Sequence, residues 1–411
     1  MISKFRDIYV DSFRGLTKDI WMFASMMLIN RIGTLILPFL TLYATTELGW
    51  TKIDAGKATM WFGIGSLAGA LIGGYLTDRI GYYRTMMISL FAASGFFFSL
   101  QFISEFYMLC GFLFISSLFA DLIRPALMTG ITFFTNKNTQ TRAVSLMRMS
   151  FNLGIAVGPA IAGLLIERYG YRLIFQIDGL TCLVAGLFLI AFVTDKRRAK
   201  KNPIEALDAE IGQSSSKSPY RDTAFLAFIF FTFLMLVSFF QILFTVPLFM
   251  TESLGYTEKH VGYFYAANGL LIFFTEMPLV HYLENKYDNF QVMKVGALMM
   301  GVAILIFVFP LPSVILMAFY VVFVSFGEII NFPFIASTSM DRADEGNIGQ
   351  YMSVNTVVFS LALIVAPILG TTILDQMGYS VLFFVMFLLC VASILGLIWI
   401  KPHFYPKEQM A

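Results

Sequence analysis

Ionisable side chains stand inside long apolar runs of the sequence, among them Arg31, Asp121, Arg124, Glu276 and Glu328. A charge near the centre of a bilayer span costs about 2.5–3.5 kcal/mol on insertion scales, so such a residue defaults to a functional reading with a partner or a wet cavity. Asp121 and Arg124 are three residues apart, which puts them on one face of a helix. They can pair while the carboxylate is ionised and separate when it takes a proton. Burial and a neighbouring cation push the proton affinity of such an acid in opposite directions, which poises it to switch. Glu328 lies in Phe326-Gly327-Glu328-Ile329-Ile330-Asn331-Phe332-Pro333, where Gly327 and Pro333 are expected to loosen a helix around an acid and an amide. It reads as a second protonation site or as a contact to a bound molecule. Asp121, Arg124 and Glu328 are therefore the candidates for handling a proton. Arg31, Asn30, Gln241, Asn268 and Asn331 are the candidates for holding a small-molecule substrate, and each amide, like Asn152 and Asn355, serves equally well as glue between helices. Glu276, just before Met277-Pro278, fits an interfacial carboxylate as well as a coupling group.

The elements that carry these residues follow from composition. Of 411 residues 58% are hydrophobic and 13% charged, where a soluble domain has about 25% charged; this excludes an ordinary water-soluble globule. The expected fold is an all-α polytopic membrane protein, its partner the lipid bilayer. Apolar runs broken by charges, Pro and Gly predict twelve spans, at 20–44, 55–76, 85–103, 106–134, 143–168, 171–193, 222–250, 258–283, 291–310, 313–339, 349–374 and 379–400. One long polar segment, 194–221, reads as a linker between a six-helix bundle at 1–193 and another at 222–411. Placing the N-terminus inside puts most Lys and Arg on the cytoplasmic side, and with them both termini.

The halves also repeat. Leu48-Gly49-Trp50-Thr51 recurs as Leu254-Gly255-Tyr256-Thr257, and at the same spacing Gly56 meets Gly262 and Gly63 meets Gly269. At a second constant spacing Pro159 matches Pro367, Gly170-Tyr171 matches Gly378-Tyr379 and Phe175 matches Phe383. A unit repeated in one orientation predicts two bundles related by a pseudo-two-fold axis along the membrane normal, with a site near the midplane.

Other chemistries find little support. With 28 basic and 26 acidic residues, the net charge of +2 indicates no pull toward nucleic acid. Cys110, Cys182 and Cys390 are scattered through apolar runs without ligand spacing. No phosphate-cradling loop, zinc-protease motif or Cys/His ligand set is present, so neither an enzyme nor a metal or organic cofactor is expected.

After the second span comes Gly73-Gly74-Tyr75-Leu76-Thr77-Asp78-Arg79-Ile80-Gly81-Tyr82-Tyr83-Arg84. Glycine allows close helix approach, and an acid with basic residues at a tight turn can latch and release. This resembles the signature loop of the major facilitator superfamily at Gly74, Leu76, Asp78, Arg79 and Gly81, with Arg84 alone where a basic pair is usual. The fifth span holds Asn152-Leu153-Gly154-Ile155-Ala156-Val157-Gly158-Pro159-Ala160-Ile161-Ala162-Gly163. Its Gly154, Gly158, Pro159 and Gly163 are similar to the glycine-proline motif of the family's antiporter branches, though plain close packing explains the small residues too.

The resemblance implies a monomeric secondary transporter of the plasma (inner) membrane, rocking two bundles, with helices one, four, seven and ten lining the pathway. Within the family the fifth-span motif implies a drug/proton antiporter exporting a lipophilic or amphiphilic compound, with the proton as coupling ion and Asp78 with Arg79 as gate latch. The alternative is a proton symporter importing a small polar solute such as a peptide or sugar, for which Arg31 and Glu328 would bracket the substrate.

Overall fold

The computed structural model describes residues 15–135, 139–193, 195, 218–284, 286–308, 314–343 and 348–404. The linker expected at 194–221 falls almost wholly outside the described residues, as do the basic N-terminal residues Lys4, Arg6 and Arg14. Every regular element among the described residues is helical. In chain order the α-helices are α1 (Lys18–Ile32), α2 (Ile36–Leu42), α3 (Lys52–Ile80), α4 (Tyr82–Leu100), α5 (Phe106–Asp121), α6 (Ile123–Thr132), α7 (Gln140–Tyr169), α8 (Arg172–Phe192), α9 (Thr223–Phe239), α10 (Gln241–Phe244), α11 (Val246–Glu252), α12 (Glu258–Glu284), α13 (Asn289–Leu305), α14 (Val314–Arg342) and α15 (Ile348–Phe404). Among the described residues ten stretches are long and apolar enough to cross a membrane. α15 is one of them and runs through a non-helical Gly378 at φ 81°.

Three prolines stand where predicted spans break. Pro38 has no N–H for the Thr34 carbonyl, and the first span leaves the helix at Gly33–Leu35 between α1 and α2 before ending in a π turn at Tyr43–Glu47. Pro125 likewise deprives the Asp121 carbonyl, and α5 stops at that residue. Pro247 does the same in the seventh span, which is divided into α9, α10 and α11. Pro333 has no such effect: α14 continues through it, and the loosening expected around Glu328 is absent. There the Asn331 amide donates to the Gly327 carbonyl at 2.8 Å, a bond within the helix itself.

The chain divides into two compact units. One comprises Met1–Gly49, Trp61–Arg197 and Tyr256–Phe273; the other Trp50–Met60, Arg198–Gly255 and Phe274–Ala411. The core of the first includes Phe23, Met86, Leu127, Ile131 and Leu189, and Tyr82 joins it, stacked on Phe133 with centroids 5.1 Å apart. The signature loop therefore carries an aromatic anchor in place of a basic residue. Each unit also ties off its helix ends with a tyrosine from the repeat. In the first, Thr46 donates to the Tyr171 hydroxyl at 3.2 Å and Tyr171 donates to Glu258 at 2.8 Å. In the second, Tyr379 donates to Glu252 at 2.7 Å, and Lys52 reaches the same Glu252 oxygen at 2.6 Å.

Asp222 knots four chain segments of the second unit. It caps α9 through the Phe225 N–H at 3.1 Å, takes Arg342 Nε at 2.7 Å and the Tyr351 hydroxyl at 3.0 Å, while Arg342 also donates to the Phe404 carbonyl. Burial alone raises the proton affinity of Asp222, but the Arg342 guanidinium and the other donors outweigh it and hold the carboxyl below its ordinary value. A carboxyl depressed in the folded state contributes stability above its unfolded value and loses it as pH falls through the folded one. Thermal unfolding of the purified protein is thus expected to lose this knot only below about pH 4. Asp222→Ala is expected to cost about 3 kcal/mol at neutral pH, because it strands a part-buried guanidinium; an unchanged unfolding temperature would contradict that role.

Candidate functional site

The ionisable residues of the first span and of the fourth, which runs through α5 and α6, meet in the first unit. Asp121 is buried at the α5–α6 break. Arg124 Nε pairs with its Oδ1 at 2.7 Å, as the three-residue spacing predicts, and Ser66 of α3 donates its hydroxyl to Oδ2. The carboxylate is thus fully engaged, while the Arg124 side chain keeps 47% of its surface exposed. Ser66 reaches it because α3 lies flush on α5: a Cβ on Gly65, Gly69 or Gly73 would sit 2.1, 2.2 or 2.7 Å from the carbonyl oxygens of Phe114, Leu118 and Leu122. That glycine ridge, at four-residue spacing, and Ser66 beside it are site features the motif reading overlooked. The spacing alone marked a helix-contact face.

Arg31 ends α1 just before its break and is only 8% exposed. Its guanidinium carbon stands 4.8 Å from the centroid of the Phe151 ring, and its Nε has no hydrogen-bond partner. Asp121 and Arg124 both contribute to the field at this guanidinium. Asn30 donates to Cys182 Sγ of α8 at 3.4 Å. One acid here was not recognised from sequence at all: Asp178 of α8 is 3% exposed and accepts the Leu35 N–H at 3.0 Å and the Ile36 N–H at 3.1 Å. Only the break in the first span gives it donors.

The small residues of the fifth-span motif are all used at close approaches within this unit. A Cβ on Gly154 would lie 2.4 Å from Arg31 Cβ, and one on Gly158 2.7 Å from the Ile32 carbonyl oxygen. A Cβ on Gly163 would lie 2.4 Å from the Glu258 carbonyl, and one on Gly262 of α12 would meet the carbonyl of Pro159 at 2.6 Å. One run of α7 thus seats the end of α1 that holds Arg31 and the first turns of α12. Asn268 is buried farther along α12.

The remaining candidates stand in other surroundings. In the second unit Gln241 is fully buried, donates to the Val237 and Ala366 carbonyls at 3.1 and 3.0 Å, and accepts from Thr245 at 2.8 Å. One of these bonds ties α10 to α15, and the other two stay within the seventh span. Glu328 is half-buried on α14, and Asn331 is buried one turn further on. In the signature loop Asp78, Arg79 and Arg84 are exposed, Gly74 has open space beside it, and Gly81 turns the chain at φ 88°. Arg79 stacks on Tyr75 at 4.6 Å, and among the described residues neither Asp78 nor Arg79 enters an ion pair.

The sequence profile of the Major Facilitator Superfamily matches residues 22–367. The chain belongs to that superfamily. This Major Facilitator Superfamily member is therefore an integral membrane protein of a secondary-transporter family. Over 92% of its length it is 22% identical to the Na(+), Li(+), K(+)/H(+) antiporter of Planococcus maritimus, spanning 94% of that protein. Over 83% of its length it is 24% identical to the multidrug resistance protein MdtH of Aeromonas hydrophila, spanning 84% of it. In fold it is similar to a POT family transporter solved in complex with 5-aminolevulinic acid, with a TM-score of 0.82 at 14% identity, over 96% of this chain and 98% of that one.

Proposed function

We propose that this superfamily member is a proton-coupled antiporter that exports a lipophilic or amphiphilic small molecule by alternating access. The observation that carries the reading is Asp121: a buried carboxylate at a proline-made break, held by Ser66 and by a half-exposed Arg124. Loss of its charge by protonation releases Arg124, so proton binding and helix position are linked at one residue. The packed fifth-span motif and the likeness to a cation/proton antiporter and a multidrug resistance protein support export. In this reading α4 is also a span and α15 divides at Gly378, so that twelve helices form two six-helix bundles, 1–193 and 222–411, joined by 194–221, with both termini cytoplasmic. Asp121 carries the proton, Arg124 responds to it, and Arg31 with Asn30 meets the substrate; Glu328 shares either task. The signature loop supplies the gate.

One observation favours a second reading, proton symport of a small anionic solute: the buried Arg31 guanidinium has an unpartnered Nε. The two differ in the sign of a pH effect. A neutral or cationic amphiphile competes with the proton for an ionised Asp121, so its binding weakens as pH falls. An anion held by Arg31 is repelled by that same carboxylate, so its binding tightens. Inside-out vesicles from cells lacking their own exporters test this with ethidium as probe. Uptake that needs an acidic lumen, stops with a protonophore and has an affinity falling with pH supports antiport. No gradient-dependent uptake of any of several unlike dyes, with labelled dipeptide transport tightening at low pH, would replace antiport by symport.

A further inference from the structure

The break in the first span is met by an acid of α8 that the proposed proton path does not use. Asp178 accepts the two consecutive N–H groups that open α2, those of Leu35 and Ile36, so α8 closes the break left by Pro38. The Leu35 N–H is shared with the Gly33 carbonyl at 2.9 Å, which leaves Ile36 the donor that depends most on Asp178. Contact here is tight: a Cβ on Gly33 would lie 1.6 Å from Thr181 Oγ1, three residues along α8. Among the described residues no cation pairs with Asp178. Its titratable neighbours are Cys182, one turn along α8, and, in the field of Cys182, Arg31 of α1. From α4 it is faced by Ser94, bonded to the Gly179 carbonyl at 2.8 Å, and by the Phe98 ring packed on Gly179. The charges on the last turn of α7 are engaged elsewhere, Glu167 with Thr257 and Lys259, Arg168 over the Tyr169 ring.

An ionised carboxylate can accept both N–H groups at once. A carboxylic acid has one hydroxyl oxygen that is a poor acceptor, so it holds one of them well. The difference falls on the peptide segment that fixes how α2 leaves the end of α1, and hence where Arg31 and Asn30 point. We propose that Asp178 is a second proton-binding site, separate from Asp121, and that its protonation releases the start of α2 and frees the hinge next to Arg31. The two acids then have different tasks: Asp121 carries the exchanged proton at the α5–α6 break, and Asp178 sets the α1–α2 break.

The proposal does not depend on the direction of transport or on the substrate, and its test uses neither. Amide hydrogen exchange of the purified protein in detergent is followed by mass spectrometry for peptides covering residues 33–40, between about pH 5 and pH 9, after correction for intrinsic rates. Protection of Leu35 and Ile36 is expected to fall by about tenfold or more toward low pH, the loss of one charge-assisted hydrogen bond. Asp178→Asn should show the low-pH protection at every pH, and Asp121→Asn should respond as the wild type does. Protection that is independent of pH in the wild type, or a response that survives Asp178→Asn, overturns the assignment. If Asp178→Asn does not fold, Asp178→Glu retains a titrating group at a displaced position, and its midpoint should move; an unmoved midpoint overturns the assignment equally.

Discussion

Asp121→Asn is expected to abolish gradient-driven accumulation while leaving substrate exchange intact. Each pH unit across the membrane sustains about a tenfold concentration ratio for one proton exchanged per substrate, because one pKa unit and one decade in an equilibrium constant are the same energy. With a gradient of about two units the wild type should reach a ratio of about a hundred, and a variant that carries no proton should reach unity. Asparagine keeps the size of the side chain and can still accept from Ser66, so the α3–α5 seam should survive and the protein should reach the membrane. The informative measurement is counterflow without a pH gradient: exchange of labelled for unlabelled substrate should continue at a rate near the wild type's. Ser66→Ala should show a partial defect in the same direction, since it removes one donor from the ionised form only. A variant at position 121 that still concentrates substrate would remove Asp121 from the coupling path.

The second large effect is expected in the fifth-span motif. Gly154→Val and Gly158→Leu each put side chain where the backbone or Cβ of α1 already stands, at 2.4 Å from Arg31 Cβ and 2.7 Å from the Ile32 oxygen. Overpacking a well-filled interior costs about 1–3 kcal/mol, and more where the obstacle is backbone that cannot rotate away. Both variants should therefore lose transport, with a lower unfolding temperature or a displaced α1. Gly95→Ala and Gly111→Ala are the matched controls: nothing lies within 4 Å of a Cβ at either position, so neither should matter. If the bulky variants transport as well as the controls do, the motif is not a fixed seat for the first span.

The sequence was most legible where a residue's own type and spacing settle its partner. Asp121 and Arg124 at three residues' separation do pair, ten long apolar stretches stand among the described residues where spans were expected, and the fifth-span glycines do sit against other helices. It was least legible where the partner comes from a distant segment or where a helix breaks. Asp178 gave no signal of its own, because its donors, the Leu35 and Ile36 N–H groups, are bared only by the break in the first span. The first span was expected to be one helix, because local hydropathy is silent about a break whose donors are met by a side chain far along the chain. Pro333 shows the converse: a proline read as loosening α14 is simply carried by it. Gln241 illustrates a third limit. An amide in an apolar run carries the same signature whether it waits for a substrate or, as Gln241 does, divides its bonds between its own span and a neighbouring helix.

The paired tyrosines bear on how the two halves have diverged. Tyr171 and Tyr379 occupy the same place in the repeat and both reach back to the end of a proline-broken span, Thr46 in one case and Glu252 in the other. The repeat keeps the aromatic hydroxyl while its surroundings change sign: Glu258 stands on one tyrosine where its counterpart in the repeat, Lys52, stands over the other. The two fastenings are thus alike in place and unlike in charge. A single chain carries two versions of one fastening, one closed by an ion pair and weakened by salt, the other closed by a hydroxyl between a carboxylate and a threonine and indifferent to it.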